Sequence, residues 1–270
     1  MADAENLLET LALEPIEVNL FRGHAPRNQG PRIFGGLVIG HALLAAYRTV
    51  ESRRCHSLHC YFIRPGDPSM PILYEVDRAR DGRSFTTRRV TAIQKGEQIF
   101  NLAASFQDVE EGAEHQDAMP DVPGPEATPR DPRAGDWAGR PIELRSVDAS
   151  FGSAVVAEPV QRVWMRATAA LGDDPVINQA VIAYASDMSF LSTSFRPHGW
   201  NWQTPGLQSA SLDHAIWFHR HSLFNDWHLY VQRSPSASGS RGMNFGSIYD
   251  ASGRLVASTA QEGLMRYRPR

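Results

Sequence analysis

The sequence predicts an α+β protein made of two like halves, each a long helix followed by antiparallel strands. Three observations carry this. One helix-period run, Leu37 to Val50, is followed by four strand-like runs, the order expected when a sheet wraps a helix. A proline-rich stretch then interrupts the chain. Beyond it the same order returns, with short stretches that match the first half.

Leucines at 7, 8, 11 and 13 mark a short amphipathic helix over Glu5 to Leu13. Val18 to Phe21 reads as a strand, and Arg22 to Pro31 as a loop rich in turn formers and positive charge. Phe34-Gly35-Gly36 opens the apolar run from Leu37 to Val50, a buried helix of about four turns. Strands are expected at Leu58 to Ile63, Ile72 to Arg80, Phe85 to Gln94 and Ile99 to Phe106, with turns at Arg80-Asp81-Gly82-Arg83 and Lys95-Gly96. Prolines at 120, 123, 125, 129 and 132, with many acidic residues, read as a linker. The expected boundaries are 1–108 for the first half, 109–145 for the linker and 146–270 for the second half.

In the second half Val155 to Ala167 reads as a strand and Pro175 to Leu191 as a helix. A loop from Ser194 to Gln208 precedes strands at Ser211 to His219, Trp227 to Arg233, Gly242 to Asp250 and Arg254 to Arg266. Tyr61-Phe62-Ile63-Arg64 falls on Trp217-Phe218-His219-Arg220 at an offset of 156. Ala103 to Gln107 falls on Ala257 to Gln261 at 154. These local matches point to a duplication.

Composition narrows the function. With 42% hydrophobic and 21% charged residues and a formal net charge of −3, the chain is an ordinary globular protein without the basic field that recruits nucleic acid. The two cysteines, Cys55 and Cys60, make no disulfide framework and no common zinc pattern, and read as reduced packing residues. No apolar run approaches the roughly 20 residues of a membrane helix. The acidic N-terminus does not look like a secretory leader, and Tyr267-Arg268-Pro269-Arg270 is not a peroxisomal address. A cytoplasmic location is expected.

Several stretches together resemble the acyl-CoA thioesterase II family. They are Arg32-Ile33-Phe34-Gly35-Gly36 continuing to Gly40, His59 to Gly66, Arg80 to Phe85, Tyr184-Ala185-Ser186-Asp187, Leu212 to Arg220, and Ala257 to Gly263. They span almost the whole chain in the family's order. The resemblance implies a double hotdog: two long helices, each wrapped by an antiparallel sheet, with the sheets joined into one continuous sheet. It also implies hydrolysis of medium- to long-chain fatty acyl-CoA without metal or cofactor. In that family an Asp on the second helix, a Thr or Ser, and a Gln hold the attacking water. Carried over, these are Asp187, Ser211 and Gln261, with Ser211 where relatives often have Thr.

The residues also have readings of their own. Continued as a helix, Asp187 would lie beside Tyr184, Phe190 and Leu191, an apolar stripe on which a carboxylate is costly unless bonded. It equally suits a surface acid or a cap. As a base it would activate water; as a nucleophile it would attack the thioester and give an anhydride. Gln261 has Ala257, Thr259, Gly263 and Met265 at its parity, which points it inward. Yet under either offset the matching stripe of the first half, Phe100, Leu102, Ala104 and Phe106, has the opposite parity. A cross-strand hydrogen bond is the plain alternative for that amide.

Gly35 and Gly36, where loop becomes helix, offer N–H groups to a thioester oxygen, or simply allow close packing. Arg32 and Arg83, within a wider group of Arg22, Arg27, Arg78 and Arg80, are candidates for the CoA phosphates. His214, His219, His221 and His228 lack an accompanying acidic or cysteine ligand set, so a metal is not expected. Asp213 is a rival acid or a structural hydrogen bonder.

The same fold hosts enoyl-CoA hydratases, but the Asp-x-x-x-x-His spacing that chemistry wants does not occur. Nor does the Gly-x-Ser-x-Gly elbow of an α/β-hydrolase. A non-catalytic acyl-CoA binder remains the rival from another class. Exposed sheet edges and the family pattern lead us to expect a homo-oligomer.

Overall fold

A computed structural model describes residues 7–26, 30–129, 141–148 and 153–269. Three helices occur among them: α1 (Leu7–Thr10), α2 (Gly35–Tyr47) and α3 (Pro175–Ser186). Every residue of α2 from Gly36 to Tyr47 is buried, as its Ala- and Leu-rich sequence requires of a helix apolar all round. Pro175 starts α3, and the Asp174 carboxylate before it accepts the Val176 N–H at 2.8 Å. Leu7 and Leu11 are buried, Leu11 against Gly40 of α2. None of the described helices is long and apolar enough to cross a membrane.

The strands are β1 (Glu14–Glu17), β2 (Leu20–Gly23), β3 (Arg54–Phe62), β4 (Ile72–Asp81), β5 (Phe85–Gln94), β6 (Glu97–Gln107), β7 (Ile142–Ser146), β8 (Val160–Ala167), β9 (Leu207–Ser211), β10 (Asp213–Phe218), β11 (His228–Ser238), β12 (Arg241–Asp250) and β13 (Leu255–Tyr267). They form one antiparallel sheet in the order β1-β2-β4-β5-β6-β3-β10-β13-β12-β11-β8-β7, with β9 pairing β13 beyond the end of β10. The halves meet where β3 pairs β10, Leu58 opposite Ile216. On either side of that seam the order is mirrored. Helix α2 lies over β2, β4, β5 and β6 and against α3, while a 3-10 segment at Leu191–His198 covers β8, β11, β12 and β13.

Register removes the parity conflict. Phe62 pairs Phe100 in the first half, and Phe218 pairs Ala257 in the second. With β3 on β10 at 156, β6 therefore lies on β13 at an odd offset, 157, and not at the 154 of the sequence match. Ala104 is the counterpart of Gln261, and both face the helices. The Ala-Ser resemblance that suggested 154 was a coincidence between small residues.

Four other expectations shift. Val18 is an exposed turn residue between β1 and β2, because Glu17 pairs Leu20 across a tight connection. Strand β7 starts inside the expected linker, and β9 inside the expected loop. Most consequential, α3 stops at Ser186. Asp187 caps its C-terminus, and Ser189 takes a left-handed φ of 63°, which breaks the helical path before Leu191. The Lys95-Gly96 turn has positive φ at both residues, the geometry of a two-residue hairpin.

Candidate active site

Because α3 ends where it does, Asp187 leaves the helix toward the N-terminus of α2. Its carboxylate accepts the Gly36 N–H, the Gln261 Nε2–H at 2.6 Å and, more weakly, the Ser211 hydroxyl at 3.5 Å. Ser211 ends β9 and Gln261 lies inward on β13, so four segments distant in sequence converge on one acid. The Asp187 side chain is half-buried. Burial raises its pKa above the usual carboxylate range, although the bonds from Gln261, Gly36 and Ser211 pull the other way. The start of α2 adds a favourable partial positive charge. An acid held this way is suited to accept a proton from a neutral donor near neutral pH.

Gly35 and Gly36 are needed for this approach. A Cβ on Gly36 would stand 2.2 Å from the Tyr184 carbonyl oxygen. On Gly35 it would stand 2.7 Å from Asp187 Oδ2 and 2.9 Å from the Phe62 ring. The Gly36 N–H is thus committed to Asp187. Gly35 contributes the open space in front of Oδ2.

His214, on β10, was considered in the sequence only as a metal ligand or a neighbour of Asp213. It is buried, and its Nδ1 lies 3.1 Å from Gln261 Nε2. Its Nε2 lies 3.0 Å from the Ser186 hydroxyl, and burial lowers its pKa to about 3. The sequence signal was there: His214 shares its parity with the buried Ile216 and Phe218. Asp213 points to the other side of the sheet and accepts the Glu262 N–H at 2.7 Å, so it takes the structural role. His219 and His228 bond Ser258 and Ser222. Among the described residues no three His, Cys, Asp or Glu side chains are grouped to hold a metal.

The two arginines separate. Arg32 is exposed just before α2, and its neighbour Ile33 is tied to Gly66 near the C-terminal end of β3. Arg83 lies at the other end of that strand, where its carbonyl accepts from Arg53. Nine residues of extended chain put roughly 26 Å between those ends. Of the two, Arg32 lies toward the Asp187 end of β3 and Arg83 toward the opposite end. Arg22 pairs Glu14 and Arg78 bonds Asn19, while Arg27 lies outside the described residues.

The corresponding corner of the first half is closed. There Tyr47, at the end of α2, donates to Gln179 of α3 and accepts the Cys55 N–H at 2.7 Å, and Gln179 donates to the Cys55 carbonyl at 2.9 Å. The places of Gln261 and His214 are filled by Ala104 and Leu58. One corner carries an acid with polar partners; its counterpart carries a satisfied tyrosine and apolar packing.

Comparisons with known proteins cover both halves of the chain. Residues 24–107 match a family model described as an acyl-CoA thioesterase N-terminal domain, and residues 136–264 one described as acyl-CoA thioesterase. The chain is 40% identical to human acyl-coenzyme A thioesterase 8 over 99% of its own length and 91% of that protein. It is 38% identical to acyl-CoA thioesterase 2 of Haemophilus influenzae, over 97% of each. Among solved structures it resembles an acyl-CoA thioesterase II from Mycobacterium marinum, with a TM-score of 0.85, 42% identity, and coverage of 97% and 99% of the two chains. A hot dog fold protein from Alicyclobacillus acidocaldarius shares the fold at a TM-score of 0.82 and 23% identity, covering 97% and 98%.

Proposed function

This chain belongs to the acyl-CoA thioesterase family, and from that premise we propose that Asp187, Ser211 and Gln261 hold and activate the water that cleaves its acyl-CoA substrate. The chain hydrolyses acyl-CoA to a free acid and CoA. The observation that carries the proposed site is the convergence of Gly36 N–H, Gln261 Nε2 and Ser211 Oγ on one half-buried carboxylate.

In this reading the Asp187 carboxylate takes a proton from water as the water oxygen attacks the thioester carbon. The carbonyl electron pair moves to oxygen and returns as the carbon–sulfur bond breaks. The CoA thiolate leaves and recovers the proton from Asp187. Gln261 and Ser211 occupy Oδ1, and Oδ2, which faces Gly35, receives the water proton. The Gly35 N–H, at the first position of α2 where helical geometry supplies no partner, stabilises the developing oxyanion. Arg32 meets a CoA phosphate at the mouth. The water route is favoured over an acyl–Asp187 anhydride because the bonds at Oδ1 and from Gly36 hold the carboxylate as an oriented base.

The mirrored strand order supports two fused hotdogs with one working corner between them, and the substrates proposed for it are medium- to long-chain fatty acyl-CoAs. Two free, buried cysteines suit a reducing cytoplasm, and the sheet edges at β1 and β7 suit a homo-oligomer. The hydratase alternative is disfavoured because both His214 nitrogens are engaged by Gln261 and Ser186. The test is thiol release from palmitoyl-CoA, read with a thiol reagent. Wild type should turn over, and Asp187→Ala and Gln261→Ala should each lose roughly a hundredfold or more. Saturable binding without turnover would mean a binder; full rates in either variant would remove that residue from the site.

A further inference from the structure

Gln261 is held in one of its two amide orientations. Its Nε2 donates to Asp187 and faces His214 Nδ1, while its Oε1 has no hydrogen-bond partner among the protein's own groups. Turning the amide over would set Oε1 2.6 Å from a carboxylate oxygen. Rotating the side chain away would strip Asp187 of its 2.6 Å hydrogen bond. Something must hold the amide where it is.

The tautomer follows from the next bonds outward. The Ser186 hydroxyl spends its one proton on the Ala183 carbonyl at 2.9 Å, so it can only accept from His214 Nε2–H at 3.0 Å. Nδ1 is then a bare acceptor directed at Gln261. Phe190 packs against the ring, with centroids 5.7 Å apart and planes at 72°. A protonated imidazole would turn a donor on the Gln261 N–H, so the arrangement works only with neutral His214, in keeping with its lowered pKa. The molecule contains its own control. In the first half the counterparts of His214 and Gln261 are Leu58 and Ala104, which pair across β3 and β6. This place in the fold accepts a leucine over an alanine, so the histidine is not there for packing alone.

We propose that His214 is a positioning residue: it fixes the Gln261 amide so that one N–H stays on Asp187 and the carboxylate keeps its orientation and charge. This rests on the reading of Asp187 as the base. The other ionisable groups about the carboxylate are Tyr230 on β11 and Cys60 on β3, both pushed upward by burial and so neutral where Asp187 titrates. Asp213 lies across the sheet. Loss of the His214 acceptor therefore raises the acid limb of the rate profile through Asp187 alone.

Three substitutions test this in the full chain with palmitoyl-CoA. His214→Leu installs the first half's residue and should fold, with unchanged KM, kcat lowered roughly ten- to a hundredfold, and the acid limb moved to higher pH. That loss is less than the ~10²–10³-fold of removing an oriented donor outright. His214→Asn places an amide oxygen near the Nδ1 position and should recover most of the rate. His214→Gln reaches toward Ser186 instead and should not. Wild-type kcat and acid limb in the Leu variant, or equal loss in Asn and Leu variants of equal melting temperature, overturns the proposal. A readout independent of turnover is the imidazole ¹⁵N spectrum: a neutral Nε2–H tautomer is expected, and an Nδ1–H tautomer overturns it. Absence of turnover in wild type would sink the base assignment instead, and leaves the ¹⁵N result to decide the geometry.

Discussion

Exchanging Gly36 for alanine should damage catalysis, while the same exchange at Gly40, one turn along α2, should not. At Gly36 a Cβ would lie 2.2 Å from the Tyr184 carbonyl and 2.5 Å from the Phe34 ring, where real contacts do not fall below 3.0 Å. The blocking atom is backbone, so α2 and α3 must part by about 1 Å. That separation is also the length by which the Gly36 N–H would retreat from Asp187. Misplacing a reacting group by about 1 Å costs on the order of a hundredfold in rate. Overpacking costs about 1–3 kcal/mol, against which alanine regains up to about 1 kcal/mol of helix propensity. At roughly 2–4 °C per kcal/mol the melting temperature should fall by up to about 8 °C. At Gly40 the Cβ would meet the Ala180 carbonyl at a tolerable 3.4 Å and the movable tip of Leu11 at 2.9 Å. Gly40→Ala should therefore keep kcat and melt no lower than wild type. Thiol-release kinetics and thermal melts on both variants decide it. Native kcat and stability in Gly36→Ala, or equal damage in the two, would refute the claim that helix approach holds the acid.

Ser211→Thr should retain activity and Ser211→Ala should lose it, as measured by kcat; equal rates in the two would take the hydroxyl out of the site. The base must be ionised, so kcat/KM should rise with pH through a pKa above the ordinary carboxylate range and then level off. A limb at the ordinary value would contradict the burial of Asp187. The same shift has a stability sign: folding favours the neutral acid, so ionised Asp187 costs stability at neutral pH and the cost disappears as pH falls. His41 and His214 act oppositely, with folded pKa values lowered to about 4 and about 3. Their contribution is full above the ordinary histidine value and is lost as pH falls toward those values. Melting temperatures from pH 7 to pH 4 should fall if the histidines dominate. Cys55 and Cys60 are buried with thiols pushed upward, so the native protein should not react with the thiol reagent used to follow CoA release. Prompt labelling of either would contradict that burial.

Patterns with local causes were legible in the sequence. The all-apolar α2, the Pro175 start of α3, the Lys95-Gly96 turn and the strand runs follow from periodicity and backbone chemistry within a few residues. So did the two-half order, while Asp187, Ser211 and Gln261 were singled out as candidates by family motifs. What the sequence left open depended on register and termination. The small-residue match at 154 is three residues from the true offset, and only the pairing of Phe218 with Ala257 reveals the odd value that sets Ala104 and Gln261 on the same face. The end of α3 at Ser186 is made by the Asp187 cap and a left-handed Ser189, a position where no glycine signals the stop in the sequence.

The chain by itself determined which chemistry is present: one inward carboxylate, a hydroxyl and an amide carried on elements of known type. The tertiary structure alone decided which of the two like corners gathers an acid with polar partners, which arginine lies toward its end of β3, and that His214 stands behind Gln261. The reason is physical. Hydrogen-bond geometry between residues 47 and 74 positions apart is set by helix approach and strand register, and those are properties of the packed whole.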